Sequence, residues 1–240
     1  MNSKIDIKVL GIDELLGDYA PNVTYDGETI GVFGNYTKEL ERKYCDHIKR
    51  KTEEKDVKFR DKIQSWLEHQ VMLGGVLANT MDPQGIVYEY GCGLGIPSIT
   101  YSLLTGNEVY LNDNDEAELK ESKEISRNFN LSKANYELGD AFETLPFGDM
   151  KEGDTVFVSN PGYYDLLDGW FYIGEATPAS LMCSVYSHIL APPSIVPLGT
   201  DELVLEFERR YGSFLEHAGL TDIIISEGKC NPLPHVLAIK

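Results

Sequence analysis

Positive charge is what this sequence has least of. Against 39 Asp and Glu it carries 21 Lys and Arg, for a net charge of −18 at neutral pH. Phosphate contacts supply most of the affinity of nucleic-acid binders and require a basic footprint. DNA and RNA are therefore not expected as partners. Much of the Lys and Arg lies between Lys38 and Lys62, but Glu39, Glu41, Asp46, Glu53, Glu54, Asp56 and Asp61 interleave with it, which reads as a solvated helix face. Long apolar runs are missing as well. None approaches the ~20 residues that cross a bilayer. The first residues lack a basic stretch followed by an apolar one, so a cytoplasmic location away from membranes is expected. Only four cysteines occur, Cys45, Cys92, Cys183 and Cys230, with no paired metal-binding spacing. Free thiols in a reducing compartment are expected, and no metal site. Internal repeats and low-complexity tracts are absent too.

What is present is the composition of a folded α/β chain. Hydrophobic residues make up 42% and charged residues 25% of 240 positions, enough for one domain with a full core and a small extension. The most informative stretch is Val87-Tyr-Glu-Tyr-Gly-Cys-Gly-Leu-Gly95. The apolar run from Gly85 to Tyr88 predicts a buried strand. Gly91, Gly93 and Gly95 then alternate, and Ile96 to Leu104 has helical spacing, with Pro97 where a first turn tolerates it. Strand, glycine turn and helix form a nucleotide-binding unit: the backbone turns sharply and exposes N–H groups at the positive end of a helix. A dinucleotide fingerprint needs Gly-x-Gly-x-x-Gly, yet Ile96 or Ser98 stands where the third glycine would fall.

Around this unit, strands and helices alternate. Glu108 to Asn112 predicts a strand ending at Asp113, then a helix from Glu116 to Phe129 capped by Asp115. Asp113 follows the glycines by one helix and one strand, where an acid accepts hydrogen bonds from ribose hydroxyls. Asp115 is the competing acid. A short strand and turn is predicted over residues 134–142, and further strands at 154–159, 180–186, 221–226 and 235–240. Helices are predicted from Val57 to Asn79, with Phe59, Ile63, Trp66, Leu67, Val71, Leu73 and Leu77 on the apolar side, and from Asp201 to His217. Residues 22–33 read as a hairpin turning at Asp26-Gly27, and residues 36–55 as a helix.

An acid two residues before three alternating glycines resembles motif I of the class I methyltransferases that use S-adenosyl-L-methionine (SAM). The resemblance covers residues 57 to 240. It implies that Glu89 holds the ammonium group of SAM, directly or through water, and that Gly91, Gly93 and Gly95 line the cofactor. Gly139-Asp-Ala followed by Leu145-Pro-Phe is similar to motif III of the same family. This implies Asp140 on the adenine amine, with Ala141 and Phe142 as backbone and stacking contacts. Asn160-Pro-Gly-Tyr163 resembles the Asn-Pro-Pro-Tyr motif of enzymes that methylate exocyclic or amide nitrogens, with Gly162 replacing the second proline. It implies that Asn160 borders both cofactor and acceptor. The Asn160 amide oxygen and the Pro161 carbonyl would accept from an amine, and Tyr163 would stack. Tyr163 and His188 are the candidate bases for an acceptor that loses a proton.

The expected fold is therefore α/β and Rossmann-like: a seven-stranded, mostly parallel sheet, helices on both faces, and a helical and hairpin extension at the N-terminal end. Residues 57–240 are expected to form the SAM-binding domain, and residues 1–56 an extension covering the acceptor site. The expected function is methyl transfer from SAM to a small molecule or a protein side chain, with nitrogen the favoured acceptor atom. Two rivals stand beside it: SAM binding without methyl transfer or for other chemistry, and a dinucleotide-dependent oxidoreductase of similar fold.

Overall fold

The computed structural model describes residues 6–18, 70–144, 146–159, 177–184, 222–227 and 235–239, with isolated helical positions between 205 and 216. Within these lie eight strands: β1 (Asp6–Gly11), β2 (Val87–Tyr90), β3 (Val109–Asp113), β4 (Ala134–Leu138), β5 (Thr155–Ser159), β6 (Ser180–Ser184), β7 (Asp222–Glu227) and β8 (His235–Ile239). The helices are α1 (Ile12–Leu16), α2 (residues 70–80), α3 (Ile96–Thr105), α4 (Glu116–Asn128) and α5 (Ala141–Thr144). The predicted hairpin at 22–33, the helix at 36–55 and the helix start at Val57 lie outside the described residues.

All eight strands join one sheet in the order β1-β7-β8-β6-β5-β2-β3-β4. The expected fold class holds, with one correction. The sheet has eight strands, not seven, because β1 pairs in parallel with β7 in register Asp6↔Asp222. Every other pairing is parallel except those of β8, which runs antiparallel to both β6 and β7.

The central strand is β2, flanked by β3 and β5. It is buried throughout, as an interior parallel strand covered on both faces must be. Its alternate residues feed two layers. On one face, α3 is buried from Ile96 to Ser102, and α2 packs across it. Contact between the two helices is close at Gly74, where an added Cβ would lie 2.5 Å from Thr100 Cβ and 2.7 Å from the Pro97 carbonyl oxygen. Leu73, Leu77, Ile99, Leu111 and Phe157 fill the core between these helices and the sheet. On the other face, Tyr88 and Tyr110 stack at 4.9 Å.

Strand order reverses between β2 and β5, because β2 leads by one crossover to β3 on its one side and β5 returns on the other. In open α/β sheets ligands bind at the carboxyl ends of the strands at such a switch point. The glycine turn opens there. Meanwhile α1 anchors elsewhere: Leu15 and Leu16 are buried in the core, and the Asn79 amide donates to the Leu15 carbonyl at 3.0 Å.

Candidate functional site

The turn after β2 is built by left-handed glycines. Gly91, Gly93 and Gly95 have φ of 59°, 53° and 65°, a region that costs any residue with a Cβ. Two of them have a second property. A Cβ on Gly91 or Gly93 would meet none of the described residues within 4 Å, whereas one on Gly95 would press on Ser122 and Leu111. The first two glycines therefore face open space, and the third is needed for packing. Short bonds fix the turn: Cys92 N–H donates to the Asn112 carbonyl at 2.9 Å, and Gly95 N–H to the Cys92 carbonyl at 2.8 Å.

Two acids flank the turn. Glu89, inside β2, has no exposed surface. Its Oε2 accepts from the Ser98 amide at 3.3 Å near the start of α3, and its Oε1 has no partner among the described residues. Burial pushes its carboxyl up to about 8 from an ordinary value near 4.5, and the Asp113 charge adds to this, while hydrogen bonding from Ser98 opposes it. Asp113, at the end of β3, sits across the turn. Its Oδ2 accepts from the Gly93 amide at 2.6 Å and its Oδ1 from the Asp115 amide at 2.8 Å. An ionised carboxylate has about four acceptor positions, so each oxygen retains capacity for a further donor. Asp115, the competing acid, instead caps α4, accepting from Ala117 N at 2.8 Å and Glu118 N at 3.3 Å. Cys92 is buried, and desolvation first of all holds its thiol well above the ordinary value, which keeps it protonated and unsuited to act as a nucleophile.

The far wall follows β4. Asp140 caps the short α5, its Oδ1 accepting from the Phe142 amide at 2.8 Å. Ala141 is buried, while Leu138 and Phe142 are half exposed, an apolar surface on the rim. Asn112 was missed by sequence reasoning. Its buried amide shares its hydrogens among the Glu137 and Gly139 carbonyls and Thr144 Oγ1, at 3.2, 3.0 and 2.7 Å. It thereby ties the end of β3 to the β4–α5 turn, and its one visible signal is a polar residue inside an apolar strand. Gln70 was missed as well. It lies in α2, is 4% exposed, and its Oε1 accepts from the Ser159 hydroxyl at 3.1 Å. The structure thus brings Glu89, Gly91, Gly93, Gly95 and Asp113 together, with Asp140, Ala141 and Phe142 following at β4. Asn160, Tyr163 and His188 lie outside the described residues.

These residues fit a cationic, ribose-bearing cofactor better than a pyrophosphate. The buried acid has one acceptor without a partner among the described residues, and two acids flank a cradle that a side chain would block. Among the described residues no cluster of His, Cys, Asp or Glu could hold a metal ion, and no helix is long and apolar enough to cross a membrane.

No protein-family model matches the sequence, and no curated protein does. Solved structures match at the level of fold. A proposed O-methyltransferase from Nostoc punctiforme superimposes with a TM-score of 0.56 at 15% identity, over 74% of this chain and 57% of that one. Cofactor-bound Rv0187 from MTB gives 0.52 at 17% identity, over 72% and 79%. TrmK of M. capricolum, solved with S-adenosyl-homocysteine, gives 0.50 at 9% identity, over 70% and 67%. The chain therefore has the fold of the class I SAM-dependent methyltransferases.

Proposed function

We propose that this chain binds SAM over the carboxyl ends of β2, β3 and β4 and transfers its methyl group to an acceptor over β5. One observation carries the reading. Among the described residues, Gly91 and Gly93 face open space beside the fully buried acid Glu89, one of whose oxygens has no partner. A pyrophosphate there would bring its own negative charge beside two acids, Glu89 and Asp113. An ammonium-bearing ligand favours the ionised form of Glu89 and pairs with it.

In this reading Glu89 takes the ammonium end and Asp113 the ribose hydroxyls. The amides of the glycine turn lie along the cofactor, and Asp140, Ala141 and Phe142 hold the adenine. Bound SAM supplies a methyl on a sulfonium, a leaving group that needs no acid. The protein's own work is then to orient the reactants and exclude water. Asn160 and the Pro161 carbonyl accept from an amine and aim its lone pair, and Tyr163 or His188 takes a proton where one is lost. Nitrogen is thus the proposed acceptor atom, on a small molecule or a protein side chain. The charge of −18 argues against nucleic acid. Residues 1–56 include the proposed cover of the acceptor site. That role falls to the part beyond α1, since β1 and α1 are held at the sheet's far edge and at the Asn79 end of α2.

The test combines binding and turnover. Calorimetry with S-adenosyl-homocysteine should show saturable binding, and a cell extract with methyl-labelled SAM should yield a labelled product whose methylated atom NMR identifies. Binding of NADH in place of S-adenosyl-homocysteine would overturn the reading in favour of a dinucleotide enzyme. Binding with no labelled product would leave a SAM-binding protein without transfer.

A further inference from the structure

The turn that follows β4 has little of its own to hold it. Its helix, α5, is four residues long, far below the length at which a helix is stable alone. Leu138 before it and Phe142 within it are half exposed, and Ala141 is the one buried residue of α5. Gly139, which leads into it with φ 139°, brings no side chain to pack.

The buried amide of Asn112 supplies the anchor. Its two hydrogens face three oxygens of this one segment, the Glu137 and Gly139 carbonyls and Thr144 Oγ1. Thr144 Oγ1 accepts the shortest of these bonds, and its own proton goes to the Asp140 carbonyl, 2.8 Å away. That carbonyl also closes the turn, accepting from the Glu143 and Thr144 amides at 3.1 and 3.0 Å. Two side-chain hydrogen bonds in series thus run from β3 to the backbone of Asp140. The far end of this chain is equally fixed. Asn112 pairs in register with Glu137, and its carbonyl accepts from the Cys92 amide of the glycine turn. A neutral amide suits the place. An aspartate would set three acceptors against an acid with no donor, and a lysine would bury a charge.

We propose that Asn112, acting through Thr144, aims Asp140 at the amine of the cofactor's adenine, and so sets the preference for adenine over a purine that carries an oxygen there; this rests on the SAM reading above. Hydrogen bonds weaken steeply with misalignment, whereas a ring stacked on Phe142 tolerates a small shift. The ribose and ammonium contacts come from β2 and β3 and do not pass through Thr144. Loosening the turn should therefore cost base discrimination before it costs binding. Asn112 and Thr144 are positioning residues.

The experiment compares S-adenosyl-homocysteine with S-inosyl-homocysteine, in which oxygen replaces the adenine amine, by calorimetry on the full chain. Wild-type protein should favour the adenosyl ligand by about tenfold, the worth of a charge-assisted hydrogen bond. Thr144→Val keeps the volume and removes the hydroxyl. It should bind the adenosyl ligand about fivefold more weakly and the inosyl ligand unchanged. Thr144→Ser keeps the hydroxyl and should behave as wild type. Asn112→Leu should abolish the preference; where it fails to fold, the two Thr144 variants decide alone. Equal weakening toward both ligands in Thr144→Val, the same loss in Thr144→Ser, unchanged discrimination in Thr144→Val, or equal affinity of wild-type protein for the two ligands would overturn the positioning role while leaving SAM binding intact. Failure of wild-type protein to bind either ligand would overturn the SAM reading itself.

Discussion

Replacing Glu89 with glutamine tests the centre of the site, because the fold holds this acid at about 8. If it pairs with an ammonium, it must do so as a carboxylate. At pH 7 a group of pKa about 8 is ionised in only about one molecule in ten, so binding carries a deprotonation cost of ~1.4 kcal/mol. By pH 9 that cost has vanished. S-adenosyl-homocysteine should therefore bind wild-type protein about fivefold more tightly at pH 8, where its own ammonium is still charged, than at pH 7, with close to one proton released on binding near pH 7. Calorimetry in buffers of different ionisation enthalpy reads that proton directly. Glu89→Gln keeps the shape and can still accept from the Ser98 amide, but it carries no charge. Its affinity should be flat between pH 7 and pH 8 and should fall below wild type by ~1.5–3 kcal/mol at pH 8. In the unliganded protein the linkage has the opposite sense. The folded pKa is raised, so the stability Glu89 contributes is fully present below about 4.5 and is lost as pH rises through about 8. The variant should lack that slope. A wild-type affinity that ignores pH, with no proton released, would refute a Glu89 carboxyl that is protonated in the free protein and ionised on binding.

Three further outcomes are expected. Gly93→Ala forces a side chain to φ 53° but meets no atom, so it should cost only ~1–2 kcal/mol of stability while abolishing S-adenosyl-homocysteine binding; a melting curve and a titration separate the two. Leu16→Ala empties a core position at the far edge and should lower unfolding free energy by ~2–4 kcal/mol in urea with cofactor affinity unchanged, whereas a loss of affinity would link α1 to the site. Asn160→Ala should lower kcat with S-adenosyl-homocysteine affinity nearly intact, and Asn160→Asp, which still accepts hydrogen bonds, should retain more activity; an O-methyl or C-methyl product would remove nitrogen as the acceptor.

The glycine turn and Asp113 were legible because local rules write them. Positive φ demands glycine, and one helix plus one strand sets the distance to the next acid. The Asp115 cap was legible for the same reason. β1 was not. Asp6-Ile-Lys-Val-Leu-Gly11 alternates only weakly, and its partner is the distant β7, so nothing nearby marks it as part of the sheet. Gln70 and Asn112 were hidden differently. Each is one polar residue in an apolar element, and only the packing reveals what its amide reaches. Helix α2 carries Gln70 to Ser159 at the end of β5, and Gly74 lets that helix lie against α3, a contact that no periodicity encodes.

The pairing of β1 with β7 has a consequence for how the chain assembles. Asp6 and Asp222 lie over two hundred residues apart, so β1 has no partner until β7 has been made. At about 5–20 residues per second on the ribosome, that is a wait of roughly 10–40 s. Meanwhile β2 to β6 can already assemble, since each adds in parallel beside a strand that precedes it. The earliest strand is therefore among the last to dock, and β7 is the template it docks on. Until then β1 presents an unpaired edge, and this is the interval in which that edge is open to a chaperone or to aggregation.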